Sequence, residues 1–167
     1  MPKYCIDTSG LMNPFVSIPD DVHASLWVAV KKMLDSGDGA VTKEIFDEMV
    51  SFNNDIGKHV GNCKDAVLFE VGVGQWDWPS YIAHNVRMQT AHAQWIAEYI
   101  NNPNSICLND LTIIALAKTL NVPVLSMEYR APDTPECKRR KIPNICDKEG
   151  IKHLDFTAFC RGEKYKF

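Results

Sequence analysis

The sequence predicts an α/β fold with a central, mostly parallel sheet. Three stretches carry that expectation. "YCID" is a short apolar strand that stops at Asp7 and feeds a helix. "AVTKEIFDEM" takes a brief apolar step and turns into a helix at Thr42. "DLTIIALAKTLNVPVLSME" is an apolar-faced helix that returns through the buried strand "VPVLSM" and ends on Glu128. Strands that alternate with helices pair in parallel through crossovers. The 167 residues suit one domain, 1–167, with a sizeable core.

Residues 3–7 form the first strand, and Thr8 or Ser9 caps the helix after it. Pro19 breaks the chain, and Asp20 and Asp21 open a helix carrying Val22, Leu26, Trp27, Val30, Met33 and Leu34 at helical spacing, ended by Gly37. Thr42 caps the next helix, where Glu44 and Glu48 lie one turn apart. Residues 57–75 read as a helix tail and a loop marked by Gly72 and Gly74. Pro79 fits the first turn of a long helix that runs to "NNPN". Residues 129–141 form a loop. "KIPNIC" and "IKHLDF" read as short strands or extended segments, and "DFTAFC" begins a terminal helix.

Composition is that of a soluble globular protein, with 46% hydrophobic and 23% charged residues. The net charge of −3 gives no global case for nucleic acid, although a basic patch can sit on an acidic protein. None of the six cysteines forms a C-x-x-C pair, which argues against a structural zinc site, and all six read as reduced. No signal peptide precedes the first strand, and no apolar run approaches the roughly 20 residues needed to span a bilayer. The expected setting is the cytoplasm, with no membrane partner.

Four acidic residues fall at element ends: Asp7, Glu48, Asp110 and Glu128. In a parallel α/β sheet the strand C-termini share an edge with the helix starts that follow them, and ligands bind in the crevice there. Asp7 ends a strand on that edge, Asp110 begins a helix there, and Glu128 returns to it 18 residues later. Carboxylates gathered in one crevice repel each other and raise each other's pKa. A hard divalent cation relieves this, and Mg²⁺ or Mn²⁺ suits carboxylate and water ligands. Such a centre activates water and holds a phosphate. Each residue also has a plainer reading: Asp7 and Asp110 as helix caps, Glu48 as a solvated helix residue with Glu44 as its competitor, Glu128 as a surface glutamate. The arrangement of the four together favours metal-assisted phosphodiester hydrolysis.

"YCIDTSGL", "VTKEIFDEM" and "NDLTIIALAKTLNVPVLSME" resemble the acidic segments of PIN-domain ribonucleases, including the VapC-type toxins of toxin–antitoxin pairs. The tail "KIPNICDKEGIKHLDF" resembles a bacterial PIN-like family related to them. The likeness covers nearly the whole chain and is loosest over residues 53–105. It implies a three-layer α/β/α sandwich, a crevice holding Mg²⁺ or Mn²⁺, and cleavage of single-stranded RNA. It implies Asp7, Glu48, Asp110 and Glu128 as catalytic metal ligands. Glu128 stands in "Ser126-Met127-Glu128", where many such domains have Asp in a T-x-D step. Thr8 and Ser9 would help to hold a metal-bound water or phosphate. A cognate antitoxin and a homodimer are the protein partners the resemblance implies.

"CKRRKIP" gathers Lys138, Arg139, Arg140 and Lys141. With Lys43, the first three are candidate RNA-binding residues, against the plainer reading of a solvated loop. Trp76, Trp78 and Trp95 offer base stacking, but Trp95, beside Ile96 and Tyr99, reads as core. A catalytically inactive PIN-like module that binds RNA or protein is the second expectation. A haloacid-dehalogenase-type phosphotransferase ranks below both, because Ser9 stands where that chemistry wants a second Asp.

Overall fold

The computed structural model describes residues 1–165. Five strands form one all-parallel sheet: β1 (Tyr4–Ile6), β2 (Gly39–Thr42), β3 (Leu68–Phe69), β4 (Val124–Leu125) and β5 (His153–Leu154), in the order β3-β2-β1-β4-β5. The strands are short, and the central ones are buried, as a parallel sheet covered on both faces requires. The chain walks outward from β1 to β3, then crosses back to place β4 on the other side of β1. The gap between the C-terminal ends of β1 and β4 is therefore the topological switch point, where such sheets open a crevice for ligands.

Helices cover both faces. On one side, α1 (Thr8–Ser17), α2 (Ala24–Asp35), α3 (Lys43–Ser51), α4 (Asp55–Asn62) and α5 (Lys64–Val67) pack on one another, and α10 (Phe156–Gly162) joins α1. Trp27 of α2 anchors this layer: it meets Phe15 edge-on, stacks on Phe156 and donates its Nε1–H to the Ile18 carbonyl at 2.6 Å. On the other side, α8 (Leu108–Leu120) packs against α6 (Trp78–Ala91) and α9 (Ile142–Glu149). The α8 stretch Leu111–Ala117 is buried throughout, so this helix is a core element rather than an amphipathic one. The result is a three-layer α/β/α sandwich. No helix among the described residues is long and apolar enough to cross a membrane.

Gly10 sets how closely α1 approaches β4. A Cβ there would lie 2.6 Å from the Leu125 carbonyl oxygen, which itself accepts the Asp7 N–H at 2.9 Å. Gly10→Ala must push apart the strand pair that places Asp7. Its expected cost is about 1–3 kcal/mol, read from denaturant unfolding.

Four expectations are corrected. The second helix begins at Ala24, capped at His23, so Asp20 and Asp21 do not open it, and Val22 lies exposed outside it. The long helix from Pro79 ends at Ala91 and is followed by a 3-10 turn (Ala93–Trp95) and α7 (Ala97–Ile100). The break arises because Ile96 is drawn into a parallel bridge with Ile106, and the Ala97 N–H bonds the Ile106 carbonyl at 2.7 Å. "KIPNIC" is the start of α9, with Pro143 in its first turn and Gly150 closing it in the left-handed region. Ile142, Ile145 and Cys146 are the i, i+3, i+4 face of that helix, a pattern that a six-residue window does not separate from a strand. The edge strand β3 falls in the stretch read as helix tail and loop; with two residues it has no periodicity to detect.

Candidate active site

All four sequence-identified carboxylates line one cleft of about 370 Å³, together with Thr8, Ser9, Met12, Asn13, Phe52, Cys107 and Asn109. The fold brings them there by four routes. Asp7 follows β1 and, in place of the expected Thr8 or Ser9, caps α1, accepting the Ser9 N–H at 3.0 Å; Thr8 is already the first helical residue. Glu48 comes from the second turn of α3, held by the Thr8 hydroxyl, which donates to its Oε2 at 2.8 Å. Asp110 is the third residue of α8 and reaches back to accept the Cys107 N–H at 2.9 Å, one half of a capping box. Glu128 follows β4 across the switch point from Asp7.

The site is electrostatically tense. Asp7 is only 5% exposed, and burial raises its pKa from 3.8 to about 6. The two Ser9 hydrogen bonds oppose that rise, while Glu128 and Glu48 add to it. Burial raises Asp110 from 3.8 to about 7 against the Cys107 hydrogen bond, with Asp7 and Glu128 adding repulsion. A folded chain tolerates such a cluster when a cation occupies it.

The donor type, carboxylate oxygen, is the one a hard divalent ion takes, but among the described residues no three of these carboxylates bring an oxygen each within 4.8 Å of one another, so ligation requires the side chains to close on the ion. Asp7, Glu48 and Asp110 each have one oxygen bonded to a neighbouring donor, by Ser9, Thr8 and Cys107 respectively. Among the described residues, no donor occupies the other oxygen of these three. Glu128 differs: Oε1 accepts Lys141 Nζ at 3.0 Å and Oε2 accepts the Ile142 N–H at 2.8 Å. Its carboxylate is turned to the start of α9, so both its oxygens are engaged, yet it lies near enough for its charge to raise both Asp7 and Asp110.

Ser9 is the buckle of the cleft. Its hydroxyl donates to Asp7 and accepts the Met127 N–H at 3.0 Å, tying the end of β1 to the segment that carries Glu128. Ser9→Ala removes both bonds. The expected loss is about 1–3 kcal/mol in denaturant unfolding, since a partly buried N–H is left without its acceptor.

Other sequence-identified residues fall elsewhere. Glu44 lies one turn before Glu48, displaced by about 6 Å along the helix. It stays exposed, outside the cleft lining, where its charge acts on Tyr81 of α6. Thr42 sits at the cap position of α3, but its hydroxyl bonds Thr112 at 2.9 Å and so ties β2 to α8. Lys43 pairs with Asp47. Lys138 and Arg139 are exposed but do not line the cleft.

Arg140 is corrected outright as an RNA-binding residue. It is 6% exposed, and its guanidinium is bonded to Asp133 and to the Cys137 and Arg139 carbonyls, over the Trp95 ring. It folds the 129–141 loop down, and its burial, which leaves even the unpartnered Nε out of reach of solvent, withdraws it from a phosphate. Trp95, half-buried in its 3-10 turn, serves this packing, while Tyr99 beside it is exposed.

The cleft residues missed in the sequence are Cys107, Asn109 and Asn13, and the pairing of Lys141 with Glu128 was missed with them. Cys107 reads as a buried strand thiol but caps α8, and burial with Asp110 beside it holds the thiol protonated, at about 12. Asn109 carried a usable signal, since it adjoins Asp110 at a helix start. Lys141 had none beyond its place in a basic run.

A comparison with curated proteins finds no match. A family model described as a domain of unknown function, DUF4411, matches residues 4–167. The match takes in every element that builds the cleft, from β1 to the end of the chain, and the protein belongs to this DUF4411 family.

Proposed function

We propose that the protein is a metal-dependent endoribonuclease that hydrolyses phosphodiester bonds of single-stranded RNA, acting as the toxin of a toxin–antitoxin pair in the cytoplasm. The observation that carries the reading is the convergence of Asp7, Glu48, Asp110 and Glu128 on one cleft at the switch point, with two of them held well above the ordinary carboxylate range. The PIN-like resemblance of the acidic segments supplies the substrate class, the toxin role and the antitoxin partner.

Bound Mg²⁺ or Mn²⁺ would supply charge for the phosphate and a more acidic water. The chain's own groups do the rest. Asp7, Glu48 and Asp110, with Glu128 beside them, would hold the cation. Ser9 and Thr8 fix the rotamers of Asp7 and Glu48, so that little ordering is left to the moment of reaction. Asn13 and Asn109 line the cleft with side-chain amides suited to phosphate or ribose.

The test pairs Mn²⁺ titration calorimetry with an RNA cleavage assay on wild type and Asp7→Asn/Asp110→Asn. Wild type is expected to bind Mn²⁺ and cut RNA, and the variant to do neither. A wild type that binds no metal and cuts no RNA, when free of any co-purified partner, overturns the reading. One observation favours an inactive binding module as the second reading: both oxygens of Glu128 are engaged by α9. RNA binding that survives the double substitution, with no cleavage by wild type, would select it.

A further inference from the structure

At the opposite edge of the sheet lies a second cluster of potential ligands, of different chemistry. Asp35 ends α2, four residues before β2 begins, and Cys63 caps the end of α4, five residues before β3 begins. Both therefore sit at the N-terminal edge of the strands, away from the carboxylate cleft. His59 joins them from the last turn of α4. One ligand atom from each of the three lies within 4.8 Å of the others.

We propose that Asp35, His59 and Cys63 form a separate transition-metal site that takes Zn²⁺ and clips α2 to α4 beside the β3 edge. His59 and Cys63 are i and i+4, so they stack on one helical face without backbone distortion. Asp35 Oδ1 meets His59 Nε2 at 2.9 Å, and the Lys31 carbonyl lies 3.3 Å from the same nitrogen, so in the metal-free protein Nε2–H is the donor and Zn²⁺ would take Nδ1 or displace that proton. Zinc bonds of about 2.0–2.3 Å put tetrahedral donors roughly 3.5 Å apart, so the cluster needs only about 1 Å of side-chain closure. A thiolate, an imidazole and a carboxylate select a borderline-soft ion over Mg²⁺, and three protein ligands leave the fourth position to water.

The same three residue types also build nucleophilic triads, but the surroundings oppose that use. Cys63 donates to the Val60 carbonyl at 3.5 Å and not to His59, so the nucleophile–base hydrogen bond of such a triad is not made.

The test is Co²⁺ titration of the full chain, reduced and free of small thiols. Wild type is expected to develop a thiolate-to-cobalt charge-transfer band that saturates at one equivalent and is bleached by Zn²⁺. Cys63→Ser should lose that band, and His59→Gln and Asp35→Asn should weaken binding at least about tenfold. Asp7→Asn/Asp110→Asn should keep the band, so this site and the nuclease reading fail or stand separately. Wild type without the band, or Cys63→Ser or His59→Gln with the band at full strength, would overturn the proposal. Should Cys63→Ser not fold, His59→Gln decides alone.

Discussion

Asp7→Asn is expected to lower RNA cleavage by at least about 100-fold and yet make the metal-free protein more stable. The two effects separate the roles that one residue combines here. As the cap of α1, Asp7 accepts the Ser9 N–H, and Asn serves at that position about as well as Asp. The cap therefore survives the substitution. The buried charge does not, and with it goes the repulsion from Glu128 and Glu48. A pKa raised from 3.8 to about 6 corresponds to a penalty on the order of 3 kcal/mol once the group is ionised. The loss of a favourable charge at the helix N-terminus takes back up to about 1 kcal/mol. Denaturant unfolding at pH 8 in chelator should thus show Asp7→Asn ahead of wild type by about 2–3 kcal/mol. A residue kept only for the fold would not behave this way. If the variant were less stable than wild type and cut RNA as well, Asp7 would be a structural cap and the cleft would lose its central ligand.

The acidic positions were legible because each sits next to a strong local signal. Asp7 and Glu128 follow apolar strands, and Asp110 lies in the first turn of an apolar helix. The α/β class was legible for the same reason: the helix-to-strand alternation is periodic where it is long. What the sequence withheld was order and orientation. That β4 lies beside β1, putting Asp7 and Glu128 on either side of the switch point, is a consequence of the return crossover and leaves no local trace. That Glu128 turns to Lys141 and Ile142 depends on α9 starting where a strand was expected. Arg140 shows the limit most clearly. In a run of four basic residues it reads as surface charge, yet the Trp95 ring and two loop carbonyls bury it. The His59–Cys63 pair was hidden because its spacing is helical rather than C-x-x-C, and its third member comes from another helix.

The metal-free protein is expected to lose stability as pH rises from about 4 to about 8, and Mg²⁺ is expected to reverse the loss. Asp7 and Asp110 carry folded-state pKa values of about 6 and about 7 against an ordinary 3.8. Between those limits the folded chain holds more protons than the unfolded chain, so stability falls with rising pH. Below about 3.8 both states are protonated and these groups contribute nothing; above about 7 the penalty is complete. Because the two titrate as a coupled pair, the total is less than the sum of separate shifts, but it exceeds the roughly 3 kcal/mol of Asp7 alone. Glu149 works at the acid end in the opposite sense. Arg87 and His92 hold its pKa down despite its burial, so it costs stability as the pH falls below its ordinary value. The measurement that isolates the cleft is the difference in the pH slope of unfolding free energy between wild type and Asp7→Asn/Asp110→Asn. Wild type should slope downward relative to the variant across the window, since His153, whose pKa burial lowers, tilts both proteins upward alike and cancels in the difference. Mg²⁺ at about 100 times its dissociation constant should restore about 2.7 kcal/mol to wild type at pH 8 and nothing to the variant. Being a hard cation, Mg²⁺ leaves the Cys63 cluster unoccupied, so the rescue reports on the carboxylates alone. Equal slopes in the two proteins would mean that solvent reaches the carboxylates and their charges are not in tension, which removes the physical reason for a cation there.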